Sequence, residues 1–265
     1  MVVRGKAGLF SDMDVVTAAG LFLGGLLAGA LNAVAGGSSF ITFPLLLAAG
    51  LPPLIANTTN FVALTPANAV AVIAYRAEVA RIRHLLPGPL VISAVGGILG
   101  SILLIWSGEA RFENLVPWLI LASTVLFAFG TWIKGALQRR SRFVGSEWTR
   151  TSSVLLFLLA IYGGYFGAGM GVVLLACLSL FGYDDLHEAN AAKNAFITIF
   201  SIIGASIFIA SGLIAWPHAL VVLSGTIVGG YAGIRYARRV PERMLRLGIL
   251  AWGVVLTGYA FWRYG

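Results

Sequence analysis

The sequence carries very little charge. Only 11% of its 265 residues are Asp, Glu, Lys or Arg, whereas 59% are hydrophobic, and the mean hydropathy is +0.92. A soluble domain has about 25% charged residues, because its surface must be wetted by water. The composition therefore excludes an ordinary soluble protein and predicts a chain embedded in lipid. A membrane-spanning helix takes about 20 residues, so the length allows roughly ten crossings and no large domain outside the membrane.

Cysteine is equally scarce. Cys177 is the only one, which excludes an internal disulfide and a thiolate metal cluster. We expect no cofactor, no bound metal and no catalytic residue. The net charge of +8 would suit nucleic acid, but basic and aromatic residues do not interleave in a patch, so we expect no nucleic-acid partner. Membrane lipid is the expected surroundings, and the pattern indicates no particular oligomeric state.

Apolar runs recur in two similar sets of five. They cover 15–35, 38–50, 57–75, 86–106 and 115–133 in the first half, and 152–168, 171–182, 189–211, 217–234 and 244–262 in the second. Clusters of charge, proline and glycine separate them. In each half the second run has only about a dozen residues and would reach roughly two-thirds of the way across the hydrocarbon core. We therefore predict an all-α polytopic membrane protein. Each half begins with a broken-helix hairpin, followed by three transmembrane helices.

Lysine and arginine are distributed unevenly among the loops. Thirteen of the 18 fall near 76–83, 134–150 and 235–246. Positive residues accumulate on the cytoplasmic side, so these loops are predicted to be cytoplasmic and the loops at 107–114 and 212–216 external. The loop after the third run is basic in the first half and uncharged in the second, which predicts that the halves are inverted repeats. The acidic loop 183–188 should also be cytoplasmic, although its charge does not favour that side.

The two halves align at a few positions. An offset of 134 pairs Gly29 with Gly163, Gly37 with Gly171 and Asn60 with Asn194. The segments GGILG (96–100) and GGYAG (229–233) match at an offset of 133, and we expect them to pack helices together. The predicted organisation is a periplasmic leader (1–14), a first membrane repeat (15–134), a basic cytoplasmic linker (135–151) and a second membrane repeat (152–265).

Glycine-rich segments interrupt the first helix of each half. They are NAVAGGSSF (32–40) and GGYFGAGMG (163–171). Unwound backbone in hydrocarbon must line a polar cavity, and a helix that begins there presents free N–H groups and a positive dipole end. Two such ends that face each other would bind an anion. The candidate substrate-binding residues are Gly36, Gly37, Ser38 and Ser39 in the first break and Gly169, Met170 and Gly171 in the second.

Polar residues open the span that follows each half-helix. The first half has NTTN (57–60) and the second NAAKN (190–194). Asn60 and Asn194 could donate amide hydrogen bonds to a shared ligand, with Thr58 and Thr59 as weaker candidates, or could hold helices together. Lys193 could reach the membrane interface, bind a substrate oxyanion, or pair with Asp184 or Glu188.

No acidic residue falls inside a predicted span. The sequence therefore lacks the intramembrane carboxylate relay of many proton pumps. Coupling to Na⁺ held by broken-helix carbonyls, movement of H⁺ with the substrate, and facilitated diffusion all stay open.

The two interrupted segments carry a family resemblance. GxxAGALNAVAGGSSFITFPLLLAAGLPPLIANTTN and GGYFGAGMGVVLLACLSLFGYDDLHEANAAKN resemble the first and second repeats of the sulfite exporter TauE/SafE family. The resemblance implies a multi-pass protein of the bacterial inner membrane that transports a small sulfur-containing anion such as sulfite, a sulfonate or sulfoacetate. In this sequence Val172 and Val173 stand where the first break has Ser38 and Ser39, so hydroxyl donors come from one half only.

These observations favour a secondary transporter that works by alternating access. Two other functions fit the pattern less well. An accessory membrane subunit would bind a partner and transport nothing. A lipid pyrophosphate phosphatase also pairs inverted repeats with re-entrant hairpins, but it needs acidic and basic residues inside the membrane.

Overall fold

The computed structural model describes residues 13–34, 37–140, 150–178, 183, 185–236 and 242–264, and all of its regular structure is helical. The α-helices are α1 (Val15–Val34), α2 (Ser39–Ala48), α3 (Pro53–Ala74), α4 (Arg76–Ile82), α5 (Pro87–Arg140), α6 (Arg150–Tyr165), α7 (Met170–Leu178), α8 (Leu186–Ala210), α9 (Trp216–Tyr236) and α10 (Glu242–Tyr264). A short 3₁₀ turn, Arg83–Leu85, follows α4.

The helices match the predicted apolar runs, with two differences. The runs at 86–106 and 115–133 both lie in α5, which turns sharply at Gly108 (φ 69°, ψ 175°). We call its two segments α5a (87–107) and α5b (109–140). The polar helix α4 was not predicted, because it contains three charged residues among seven and shows no apolar run. Most of the predicted leader (residues 1–12) and most of the predicted linker (residues 141–149) lie outside the described residues. The predicted domain limits therefore stay predictions.

The surface of the helices is apolar. Large side chains such as Trp106, Tyr231 and Trp262 are more than 70% exposed. Two segments, Pro87–Phe129 and His187–Ala210, are long and apolar enough to cross a membrane, and Val15–Ala30 and Ser39–Ala48 are shorter apolar helices. Such side chains on the outside, with polar groups inside, are typical of a protein whose solvent is lipid.

Glycines allow two helix pairs to pack at backbone distance. A Cβ at Gly29 on α1 would lie 2.2 Å from the Thr226 carbonyl oxygen of α9. In the other direction, a Cβ at Gly229 on α9 would lie 1.9 Å from the Leu26 carbonyl oxygen of α1. On α5a a Cβ at Gly100 would meet the Ile161 oxygen of α6 at 2.1 Å. The prediction that GGILG and GGYAG pack helices is therefore confirmed.

The two ends of α3 lie against different sets of loops. At its start the Leu54 N–H donates to Glu109 Oε1 at 3.1 Å, and Thr59 Oγ1 accepts from the Ala215 N–H at 3.0 Å. At its end α4 follows and packs on α8. The 22 residues of α3 measure about 33 Å, close to the thickness of the hydrocarbon core. The loops near 109 and 215 therefore share one end of the molecule, and α4 shares the other with the start of α8.

The acidic start of α8 has a basic neighbour. Asp185 caps the helix, accepting hydrogen bonds from the His187 and Glu188 amides at 2.7 and 2.9 Å. The pKa of Asp185 lies below its ordinary value, mainly because the Glu188 amide donates to its carboxylate. Burial opposes this shift, and the amide and charge of His187 and the positive charge of Arg81 add to it. An acidic loop thus lies beside the basic helix α4, so its acidic charge does not conflict with the side predicted for it.

Candidate functional site between the two helix breaks

The first break is built on a glycine and a serine carbonyl. Gly37 has φ +92°, which a residue with a side chain rarely adopts, and its carbonyl accepts from the Phe40 N–H at 3.0 Å. The Ser38 carbonyl accepts from the Ile41 and Thr42 amides at 3.0 and 3.2 Å. Helix α2 then begins at Ser39. The predicted site residue Gly36 lies outside the described residues.

A proline inside α2 leaves one carbonyl without its helical donor. Pro44 has no N–H, so the Phe40 oxygen one turn earlier cannot receive the usual i→i−4 bond. The indole Nε1 of Trp252 on α10 donates to this oxygen at 2.9 Å. An aromatic side chain 212 residues away thus completes the first turn of the half-helix.

The second break contains two left-handed glycines. Helix α6 ends at Tyr165, α7 begins at Met170, and Gly167 and Gly169 between them both have φ +73°. The Met170 N–H donates to the Gly167 oxygen at 3.2 Å. Both predicted helix interruptions are therefore confirmed as breaks of the backbone.

One side chain from α3 and one from α6 itself satisfy carbonyls of the second break. Asn57 on α3 donates its amide Nδ2 to the Tyr165 oxygen at 3.0 Å. The Tyr162 hydroxyl donates to the Ala168 oxygen at 2.6 Å and also contacts the Ser123 hydroxyl of α5b at 2.6 Å. The break is thus fixed by three polar side chains, each on a different helix.

The two breaks lie against each other. A Cβ at Gly169 would stand 3.6 Å from the ring of Phe40 in the first turn of α2, and Val172 in the first turn of α7 packs against the pair that Phe40 forms with Phe127. Phe43 and Phe166 meet edge to face with ring centroids 5.4 Å apart. A cavity of about 10 Å³ remains here, about the space that a single water molecule needs. It is lined by Ser39, Phe40, Phe43, Pro44, Ile120, Phe166, Ala168 and Leu256.

Of the polar residues at the start of α3, one contacts α2 and two contact a distant loop. Asn60 is 2% exposed, and its Oδ1 accepts a hydrogen bond from the Thr42 hydroxyl of α2. The Thr58 hydroxyl lies within hydrogen-bond distance of two carbonyls of its own helix and of the Leu213 oxygen, and Thr59 accepts from the Ala215 amide. The structure therefore places Asn60 next to the half-helix and engages both threonines with the loop before α9.

On α8, Lys193 is half-buried and its Nζ donates to Asn190 Oδ1 at 2.9 Å. Among the described residues it forms no ion pair with Glu188, and Asp184 lies outside them. Asn194 is half-buried, and no described residue forms a hydrogen bond with its side chain. A Cβ at Gly171 would be 3.9 Å from the Ile197 side chain, and Lys193 and Asn194 precede Ile197 by four and three residues. Both therefore lie on the face of α8 that passes the start of α7.

Comparison with known proteins identifies the family. Residues 21–260 match the family described as sulfite exporter TauE/SafE. The chain belongs to this family. It is 29% identical over 254 residues to a Haemophilus influenzae protein named probable membrane transporter protein, covering 93% of this chain and 95% of that one. It is 30% identical over 229 residues to the probable membrane transporter protein ORF9 of a Sinorhizobium species, covering 85% of each.

A third relative is the probable membrane transporter protein YfcA of Escherichia coli K12, with 25% identity over 239 residues, 89% of this chain and 87% of that one. No solved structure matches the chain. Membership of the TauE/SafE family, together with the apolar helices, makes this protein a helical membrane protein.

Sequence reasoning missed several residues that shape this TauE/SafE site. Three of them, Thr42, Tyr162 and Trp252, bond to the breaks or to Asn60, and a fourth, Ser123, bonds to the Tyr162 hydroxyl. One signal was available: Pro44 in a short helix requires an outside donor for the Phe40 carbonyl. The sequence around Pro44 does not identify Trp252 as that donor.

Proposed function

We infer that this protein is a secondary transporter that moves a small sulfur-containing anion across the bacterial inner membrane by alternating access. The substrate class is sulfite, a sulfonate or a sulfoacetate-like compound. Family membership supports both transport and the sulfur chemistry, since the family is described by sulfite export. The names of three relatives contain the words membrane transporter.

The observation that carries the proposal is the meeting of two helix amino ends. Phe40 of the first turn of α2 lies close to Gly169, the residue before α7, since a Cβ there would be 3.6 Å from its ring. Val172 in the first turn of α7 packs against the pair that Phe40 forms with Phe127. Each helix start leaves amide groups without a helical acceptor and adds about half a positive charge. Two such starts at one place favour a bound anion without any lysine or arginine.

The hydrogen bonds of the breaks support an anion rather than a metal cation. The carbonyls of Gly37, Ser38, Phe40, Tyr165, Gly167 and Ala168 each already accept a hydrogen bond. Carbonyl oxygens would be the ligands of Na⁺, whereas an oxyanion needs N–H and O–H donors. In this proposal the ligand groups are the amides of Gly36, Gly37, Ser39, Gly169 and Gly171, the Ser38 and Ser39 hydroxyls, and the side chains of Asn60 and Asn194.

The proposal includes two inverted repeats related through the paired helices. α1, α2 and α3 would correspond to α6, α7 and α8, and α5a and α5b to α9 and α10. The packing supports this, because α1 lies along α9, while the counterpart α6 lies along the counterpart α5a. The three basic loops would be cytoplasmic and the membrane crossings multiple.

The closed site supports alternating access. A cavity of about 10 Å³ cannot hold sulfite, so the aromatic side chains around it must separate before an anion enters. Phe40 and Phe43 belong to one half, and Phe166 to the other. A movement between the halves would open the site toward one side at a time. Because these groups bind and orient but include no paired acid and base, we propose transport and no enzymatic step.

The proposal is tested by flux. Purified protein in liposomes loaded with sulfite or a sulfonate should release the anion, and the Asn60→Ala, Asn194→Ala double variant should lose most of the flux. Asn114→Ala, at an exposed position on α5b, is the matched control and should transport normally. Imposed Na⁺ or H⁺ gradients identify the coupling ion by accelerating release.

Two results would contradict the proposal. Undiminished flux in a folded double variant would remove Asn60 and Asn194 from the site. No flux of any tested anion by the unaltered protein would favour the accessory-subunit function.

A further inference from the structure

We propose that Thr42 is a positioning residue that fixes the orientation of the Asn60 carboxamide, so that Asn60 offers a ligand its N–H donors only. This inference rests on the proposed function, because it concerns how the same site selects anions. Thr42 was not expected from the sequence.

The two side chains meet in a buried place between α2 and α3. Thr42 is 0% exposed and Asn60 is 2% exposed. The Thr42 hydroxyl lies 2.5 Å from Asn60 Oδ1 and 3.1 Å from the Ser38 carbonyl oxygen. A hydroxyl has one proton, so one of these two oxygens receives it.

The local geometry assigns the proton to Asn60. The Ser38 oxygen already accepts the Ile41 and Thr42 amides, whereas Asn60 Oδ1 has no other donor among the described residues. The atom of Asn60 nearest to Thr42 is its oxygen and not its nitrogen.

This bond determines what Asn60 can do. With its oxygen engaged, its Nδ2 carries two protons for which no described residue is an acceptor. An amide in this state offers two N–H donors to an oxyanion. Ser38 immediately precedes α2 and Thr42 lies in its first turn, so the same turn that offers helix amides also fixes the side-chain donor.

The second half has no threonine at the position equivalent to Thr42. At the offset of 134 that pairs Asn60 with Asn194, Thr42 pairs with Ala176, which has no hydroxyl. The first half therefore sets anion selectivity, and Asn194 has no corresponding threonine to orient it.

The test compares Thr42→Val with Thr42→Ser in the liposome flux assay. Valine keeps the shape and removes the proton, so the amide can turn and present its oxygen to the anion. We expect KM for sulfite or the transported sulfonate to rise about threefold to tenfold, the effect of one hydrogen bond, with a smaller change in maximal rate. Serine keeps the donor and should restore the KM of the unaltered protein, which a purely structural role for the γ-methyl group would not allow.

A second variant tests the assignment independently. Asn60→Asp keeps an oxygen that accepts from Thr42, so it should fold, but it places negative charge where the anion binds and should abolish flux. Thermal unfolding in detergent establishes folding for each variant.

The outcomes separate this inference from the proposed function. If the unaltered protein moves no anion, the proposed function fails. If it transports but Thr42→Val has an unchanged or lower KM, or folded Asn60→Asp transports normally, the orienting role of Thr42 is overturned while transport stands. If Thr42→Val does not fold, loss of flux in folded Asn60→Asp supports the inference, and retention overturns it.

Discussion

A single carboxylate far along the chain completes the start of α3. The helix begins at Pro53 after Pro52, and neither residue has an N–H, so Leu54 provides the first amide of the helix. Glu109, in the turn between α5a and α5b, accepts this N–H. Burial raises the pKa of the Glu109 carboxyl above 4.5, opposed by the Leu54 hydrogen bond and assisted by the negative charge of Glu113.

This pKa shift gives stability a definite pH dependence. The folded protein binds the Glu109 proton more tightly than the unfolded chain, so stability falls as pH rises from 4.5 through the raised pKa. Glu109→Gln keeps an oxygen for the Leu54 amide and cannot ionise. We expect this variant to gain stability relative to the unaltered protein as pH rises through that interval, measured as the unfolding temperature in detergent.

Glu78→Gln is the control for removing one acidic charge, because Glu78 lies on α4 at the other end of α3. A Glu109→Gln curve parallel to that of the unaltered protein at all pH values would show that Glu109 does not contribute in this way.

At the scale of elements, the half-helix α2 depends on α10. Trp252→Phe removes the donor to the Phe40 oxygen and leaves a carbonyl that Pro44 cannot satisfy, a loss of about 1 to 3 kcal/mol. Adding Pro44→Ala restores a helical N–H at residue 44, so the Trp252→Phe cost should become small in that background. Unfolding of the two single variants and the double variant measures the coupling.

Trp262→Phe on the same helix, 81% exposed, is the matched control and should have little effect. If Trp252→Phe lowers the free energy of unfolding equally with proline and with alanine at position 44, the indole acts by packing alone.

The contact between α1 and α9 is a second element-scale feature. A Cβ at Gly29 would overlap the Thr226 oxygen, whereas one at Gly20 on the same helix meets nothing within 4 Å. Gly29→Ala should therefore destabilise the protein by about 1 to 3 kcal/mol through overpacking. Gly20→Ala should be neutral or slightly stabilising, since alanine favours helix. Similar unfolding temperatures for the two variants would contradict close packing at Gly29.

At the scale of the whole molecule, sidedness follows from which loops share an end. His84, just after α4, and His187, in the first turn of α8 near Arg81, lie at one end of the molecule. Ala110 lies at the other end, next to Glu109 and the start of α3. In a Cys177→Ala background, cysteines at 84 and 187 should be labelled from the cytoplasm and a cysteine at 110 from outside. All three residues are exposed. Labelling of 84 and 110 from one side would exclude the proposed topology.

Local sequence was sufficient to predict the interruptions of the helices. Glycines at 37, 167 and 169 adopt positive φ, and short apolar runs became the short helices α2 and α7. These predictions succeeded because a positive φ and a helix end depend on residues within one turn. The turn at Gly108 was harder to predict because it joins two apolar runs directly, without a loop between them. Helix α4 was harder to predict because it contains no apolar run.

Composition and glycine position are enough to predict a lipid-embedded bundle of helices with two breaks, because both act through short stretches of the chain. Which groups complete those breaks depends on the tertiary structure. Asn57 reaches Tyr165 over 108 residues, Glu109 reaches Leu54 over 55, and Trp252 reaches Phe40 over 212. A broken helix in lipid requires partners for its free backbone groups, but any polar side chain could provide them. The packing of distant helices selects the one that does.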